Sequence, residues 1–432
     1  MDKYMTISSQ DFINEPYIDC PNCGKKAFGI LMICDHHYCR RCRECLYPRG
    51  HERPAAYPLP GLNKAIIYLD QFAISNMMLV LNPETNAYQK GKVSPFWKIL
   101  FDKVDSLCKL QLIICPNSDF HRHESMLSTF YEPLKRMYGL LSHGVSFYGH
   151  DTIHRFQIIN QLHTWLGDAD FKDLRVQDVV HGNINAWQER FTISAGNFKI
   201  PGLVDELRAS RKKIVENLTP IFQRWQGERD KDFNYWYEEE KKANARVLWE
   251  RYMQILQTFD SASFGLGSFN PWDLTDFANV TVHEILETFK GRGAEKNSLF
   301  TKLAEFLHSA AFENTPYIKI SAMLWASLAR KAAGGRKNPP NRGFVTDVEI
   351  VSTLLPYCDA MFIDNEFRAY LAESPLCEEI RYPTKIFSYK TKESFLKYLD
   401  EIRARATRVH FDKVREVYGE NWAKPFSDLY KA

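Results

Sequence analysis

A chain of 432 residues leaves room for two or three domains at roughly 100–200 residues each, and with 45% hydrophobic and 25% charged residues it can bury a core without disulfides. A net charge of +3 excludes any argument for nucleic-acid binding from global charge, so such binding has to rest on local clusters. No apolar stretch approaches the ~18 residues needed to span a bilayer, and Met1 to Gln10 lacks the basic and apolar regions of a signal peptide, so a cytoplasmic protein with no membrane partner is expected.

Residues 1–19 read as a lead-in. Six of the ten cysteines then fall between Cys20 and Cys45, a density that in an otherwise cysteine-poor chain means metal ligation rather than disulfides. Cys20-Pro-Asn-Cys23 is followed by Cys39-Arg-Arg-Cys42-Arg-Glu-Cys45, two thiolate pairs with the spacing of a tetrahedral zinc site. Cys20, Cys23, Cys42 and Cys45 are the preferred ligands. Phe28 to Cys34 reads as a strand, Asp35-His36-His37 as a turn and Tyr38 to Arg41 as the returning strand, which leads into Cys42. Cys34, His37 and Cys39 stay open as substitutes. The module, 20–47, resembles a zinc ribbon. Four thiolates close the coordination sphere, so this zinc is structural, and such a module serves as a grip on nucleic acid or a protein partner. Arg40, Arg41, Arg43, Arg49 and Arg53 cluster over its C-terminal end and the stretch that follows. Prolines and glycines over 48–62 mark a linker.

Ala65 to Asp70 is a short apolar run ending in an acid, the pattern of a buried strand. Helical spacing covers 94–109, Leu110 to Cys115 reads as a second strand stopped by Pro116, and helix resumes near Phe120. From about 126 to 335 the periodicity is mostly helical, and the aromatics of Phe233 to Tyr237 are expected to pack helices rather than read bases. A basic loop at 334–343 precedes a helix from Thr346 to Leu355, followed by strands at Ala360–Ile363 and Lys385–Ser388. Short apolar strands separated by helices predict an α/β fold, an α/β/α sandwich on a parallel central sheet.

The chemistry is expected at the strand ends, because ligands of an open α/β sheet sit beyond the strands' carboxyl ends. Asp70 closes the first strand, Glu124 lies one turn into the helix after the second, Asp347 starts the helix before the third, and Asp364 closes the third. Each alone has a structural reading: Asp347 as a helix cap, Asp364 as a turn residue, Glu124 as a solvated helix residue. Together at one edge they repel one another, and a cation is what normally stabilises such a cluster. Oxygen ligands suit Mg²⁺ or Mn²⁺, ions that activate water and steady the leaving oxygen of a phosphodiester.

Three stretches resemble a bacterial branch of the PIN-like nucleases: Ile67-Tyr-Leu-Asp70, Pro116-Asn-Ser118-Asp-Phe-His121-Arg-His-Glu124, and Gly343 to Phe367 with Asp347, Asp359 and Asp364. The resemblance implies that Asp70, Glu124, Asp347 and Asp364 hold the catalytic metal of a nuclease, with RNA the first choice of substrate. It implies a support or capping role for Asp359 and a structural hydrogen bond for His121. It covers roughly 64–130 and 315–395. The division expected is a PIN-like first part at 63–130, a helical insertion at 131–314, a PIN-like second part at 315–395 and a helical tail at 396–432. The insertion is a second candidate surface for a protein partner. Other motifs fall away: His283-Glu284 lacks the second histidine of a metallopeptidase, and no phosphate-binding loop or nucleophile elbow is present.

Overall fold

The computed structural model describes residues 61–82, 93–168, 173–188, 203–263, 270–419 and 422–424, together with the backbone of three strands at 29–34, 37–42 and 55–58. These three, β1 (Gly29–Cys34), β2 (His37–Cys42) and β3 (Ala55–Pro58), form an antiparallel sheet in that order. The hairpin expected from the sequence is present. His37 pairs with Cys34 and so belongs to the second strand rather than to the turn, and Cys42, opposite Gly29, ends that strand. β3 stands where composition implies linker, because Ala55 to Pro58 pairs with Arg40 to His37. Cys20, Cys23 and Cys45 lie outside the described residues.

Six further strands follow: β4 (Ala65–Leu69), β5 (Ile113–Ile114), β6 (Ser146–Phe147), β7 (Val180–His181), β8 (Ala360–Phe362) and β9 (Lys385–Phe387). Four make a parallel sheet in the order β5-β4-β8-β9; β6 and β7 form a small antiparallel pair. The helices of seven residues or more are α1 (Gln71–Leu81), α2 (Phe96–Lys109), α3 (Asp119–Ser125), α4 (Tyr131–Ser142), α5 (His150–Trp165), α6 (Leu203–Gly227), α7 (Phe233–Ser263), α8 (Phe277–Gly291), α9 (Leu299–Leu307), α10 (Pro316–Ala333), α11 (Arg342–Leu354), α12 (Asn365–Leu371), α13 (Lys392–Arg405) and α14 (Arg408–Tyr418).

Alternation along the strands divides the core by face. Ile67, Leu69, Ile113, Ala360, Phe362 and Phe387 pack against α1, α2, α4 and α13. Ile66, Tyr68, Ile114 and Met361 point the other way, into α10, α11, α12 and the tryptophans Trp225 and Trp236. The result is three layers, helices on both faces of a parallel sheet. Burying each large aliphatic or aromatic side chain here is worth roughly 1.5–3 kcal/mol, so both layers are tied firmly to the strands. Trp236, fully buried, packs helices as its sequence setting implies.

Four boundaries differ from the sequence reading. The second strand is only Ile113–Ile114, because Gln111 ends α2 in the left-handed conformation (φ 60°). Its N–H donates to Cys108 O and that of Leu112 to Leu107 O, so the chain turns before extending. α4, placed by sequence in the insertion, belongs to the sheet's first layer through Leu134, Met137 and Leu141. α13, divided at 395/396 by the expected tail boundary, belongs as a whole to that layer through Phe395 and Leu399. α11 starts at Arg342 under an Asn341 cap rather than at Thr346, so Asp347 lies inside the helix and does not start it.

A third core joins α5, α7, α8 and α9 through residues such as Ile158, Leu248, Ile285 and Phe306. α5 and α7 also contribute Ile153, Phe233 and Trp236 to the sheet's second layer, so the helical elaboration is fused to the sheet rather than hung from it.

Candidate functional site: an acidic edge of the sheet

β4 is central: β5 precedes β8 in the chain but lies on β4's opposite side, so the connections diverge there. The carboxyl end of β4 is therefore the switch point where an open α/β sheet forms its crevice. Asp70 is the first residue past it. Its N–H donates to Phe362 O at 3.0 Å, which holds it beside the end of β8, and its Oδ1 accepts from Gln71 N–H at 2.6 Å as the cap of α1. Asp364 repeats the arrangement one strand over. Ile363 N–H donates to Phe387 O at 2.9 Å, and Asp364 Oδ1 accepts from Phe367 N–H at 2.6 Å to cap α12. Both capping interactions satisfy helix N–H groups and aim the carboxylates along the edge.

Glu124 is positioned by the segment from Ser118. Ser118 Oγ accepts from His121 N–H at 3.2 Å and caps α3. The His121 ring lies between Tyr68, 4.8 Å away and stacked, and Tyr138, 4.6 Å away. Its Nε2 is 2.8 Å from Leu69 O, so it donates there, pinning α3 to the residue before Asp70. Burial pushes the imidazole down to about 4, so it is a neutral donor at ordinary pH. His121 therefore makes a structural hydrogen bond, and Glu124, three residues on, shares its helix face.

The four acids act on one another. Burial raises the Asp70 carboxyl well above the usual carboxylate range, and Glu124 and Asp364 push it further. Asp347 is raised by burial and then by Asp70, Asp364, Glu124 and Glu366. Asp364 is raised too, by burial first, with Phe367 N–H opposing and Glu366 adding to the shift. The side chains acting most strongly on Asp347 are thus all acids. Among the described residues no three His, Cys, Asp or Glu side chains close on one point as a ligand set; the carboxylates share a field rather than a contact.

Asp359 stands apart. It is at the amino end of β8, where its Oδ2 accepts from Ile66 N–H at 2.7 Å and its N–H donates to Ile66 O at 2.9 Å. It caps strand pairing at the end of the sheet opposite the acids. The sequence reading passed over Glu366, which faces Arg336 Nη1 at 2.8 Å and joins that basic loop to the acidic field. Its signal was available: it follows Asp364 by two positions in the first turn of α12.

No protein-family model, no curated protein and no solved structure matches this chain. The fold and the edge define a class on their own: a mostly helical chain built around a small four-stranded parallel sheet, with mutually repelling acids beyond the carboxyl end of its central strand. No helix among the described residues is long and apolar enough to cross a membrane.

Proposed function

We propose that the protein is a metal-dependent nuclease of PIN-like type, acting on RNA in the first place. The observation that carries the reading is the mutual electrostatic action of Asp70, Glu124, Asp347 and Asp364, four acids from distant parts of the chain, at the switch point of the sheet. The chemistry of the donors is that of a hard divalent cation's ligands: they are all oxygen, partly buried, and the side chains acting most strongly on Asp347 include no cation. Mg²⁺ or Mn²⁺ is the ion of choice, and when bound it supplies Lewis acidity toward water and the departing oxygen of a phosphodiester. The chain supplies orientation. Gln71 and Phe367 N–H groups fix Asp70 and Asp364, and His121 fixes the helix that carries Glu124. A zinc ribbon built on Cys20, Cys23, Cys42 and Cys45 would grip nucleic acid or a partner, and the helical elaboration offers a further protein-binding surface.

Cleavage of a mixed pool of labelled RNA and DNA with Mn²⁺, by wild type and Asp364→Asn, tests the reading. Activity in the first and none in the second is expected, and the degraded label names the polymer. Equal activity in both removes the acids from the chemistry; inactivity of wild type on every polymer favours a non-catalytic adaptor. Purified protein is also expected to carry about one equivalent of zinc, and Cys20→Ser to lose it. Metal analysis showing no zinc in wild type would sink the ribbon.

A further inference from the structure

The carboxyl edge extends one strand beyond β5. Asn117 N–H donates to Val145 O at 3.1 Å, Phe147 N–H donates to Asn117 O at 2.8 Å, and Asn117 and Ser146 form a parallel bridge. Two helices therefore start side by side at this edge: α3 at Asp119, after β5, and α5 at His150, after β6. Their first residues are locked together. Asp119 Oδ2 accepts from His150 N–H at 3.0 Å and from His150 Nδ1–H at 2.6 Å, and the imidazole stacks on Phe120 at 5.2 Å. The pair is lopsided, with Asp119 buried and the His150 side chain 29% exposed. Nδ1 is committed to Asp119, so Nε2 is the nitrogen that can meet a ligand. Its neighbour there is Asp151, 3.4 Å away and 62% exposed, a rim ion pair of little strength.

Burial alone would strip the proton from this ring. The hydrogen bond and charge of Asp119, with Asp151 and Glu349 adding, overcome it and bring His150 up to about 9. Burial pulls Asp119 up, but His150 brings it below the ordinary carboxylate range. His154, whose ring centre is 5.9 Å from that of His150, is kept neutral by burial and by His150's charge, at about 3. The edge thus carries one cationic ring, two strand spacings, roughly 10 Å, from the strand that ends in Asp70.

We propose that His150, oriented by Asp119, is a positioning residue of the same edge, donating Nε2–H to a backbone phosphate of the nucleic acid adjacent to the one held at the acids. The inference rests on the nuclease reading. A phosphate displaces Asp151 from the ring, and a charge-assisted hydrogen bond replaces a weak rim pair. Such a contact fixes the register of the strand and carries no base preference.

The test is binding of labelled single-stranded RNA and DNA oligonucleotides in EDTA between pH 6 and pH 10, with steady-state cleavage in Mn²⁺ at pH 7. His150→Gln is expected to weaken binding about tenfold at pH 7 and to raise KM by a similar factor with kcat within about twofold. The gap between wild type and His150→Gln closes as pH rises past about 9, where the imidazolium is lost. His150→Arg keeps affinity through pH 10, and it also serves if the glutamine variant folds poorly. A structural tie alone would lower the melting temperature without a pH-dependent affinity. Unchanged binding and KM in His150→Gln, with Mn²⁺ cleavage intact, overturns the assignment and leaves the nuclease reading standing. Wild type that neither binds nor cleaves any oligonucleotide overturns both.

Discussion

Charges are treated in opposite ways in the helical region and at the sheet edge. Arg251 on α7 reaches Asp273 at 2.9 Å and Asp276 at 3.0 Å, and Lys241 reaches Glu238 and Glu313, each at 2.9 Å. There acids meet bases, and the pairs to Asp273, Asp276 and Glu313 tie α7 to its neighbours. At the carboxyl edge of β4, acids meet acids, and burial makes each costlier to ionise. A fold selected for stability alone has no use for such an edge. The contrast separates charges that hold the molecule together from charges that strain it, a strain that the proposed cation would relieve.

The largest effect that could break this contrast is on cleavage. Asp70→Asn is expected to lower kcat in Mn²⁺ by at least about a hundredfold, on the order of 3 kcal/mol of transition-state stabilisation, with the circular dichroism spectrum unchanged. Retained activity would mean the edge is strained for no chemical purpose.

The next effect is on stability and has a defined sign. Asp70 and Asp347 have folded-state pKa values above their unfolded values. Above the ordinary carboxylate range these two groups hold protons that the unfolded chain has released, whereas the buried, neutral His121 and His154 act in the opposite sense below about 6.5, so metal-free protein loses stability as pH rises from about 6.5 toward 8. Asp347→Asn should flatten that slope and stabilise metal-free protein at pH 8 by on the order of 1–2 kcal/mol. Mn²⁺ should do the same for wild type by binding only the folded state. Melting curves across pH, with and without Mn²⁺, measure both; a rising metal-free slope over that range would contradict the shared field.

The smallest effect lies in the helical region. Arg251→Ala should cost no more than about 1 kcal/mol, because the guanidinium is 39% exposed and screened, and should leave cleavage unchanged. A large loss of activity there would show the two regions to be coupled.

Much of the edge is legible in the sequence because strand-end acids carry a period: an apolar run, then a carboxylate. Asp70 and Asp364 stand out this way and Glu124 by its place one turn into the helix after the second strand, whereas Ser118 and His121 are marked in the sequence only by the resemblance to the PIN-like segment. What escapes has physical causes. Gln111 adopts a conformation usually left to glycine, so α2 overruns the expected strand. The cap of α11 is Asn341, which a Pro-rich loop disguises. The layer membership of α4 and α13 is a tertiary fact, since an amphipathic helix does not say which face it covers. The Asp119–His150 lock joins two helix starts that only the bridge at Asn117 brings together.

The pairing of Ile66 with Asp359 has a consequence for synthesis. These partners are 293 positions apart, and β8 and β9 join the sheet only after the helical elaboration has been made. Contacts of such separation form late, after most of the loop-closure entropy has been spent. A nascent chain still on the ribosome at α10 has Asp70 and Glu124 but neither Asp347 nor Asp364. The edge cannot be assembled on a truncated polypeptide, so a cell making this protein would meet the proposed chemistry only once translation has passed β8.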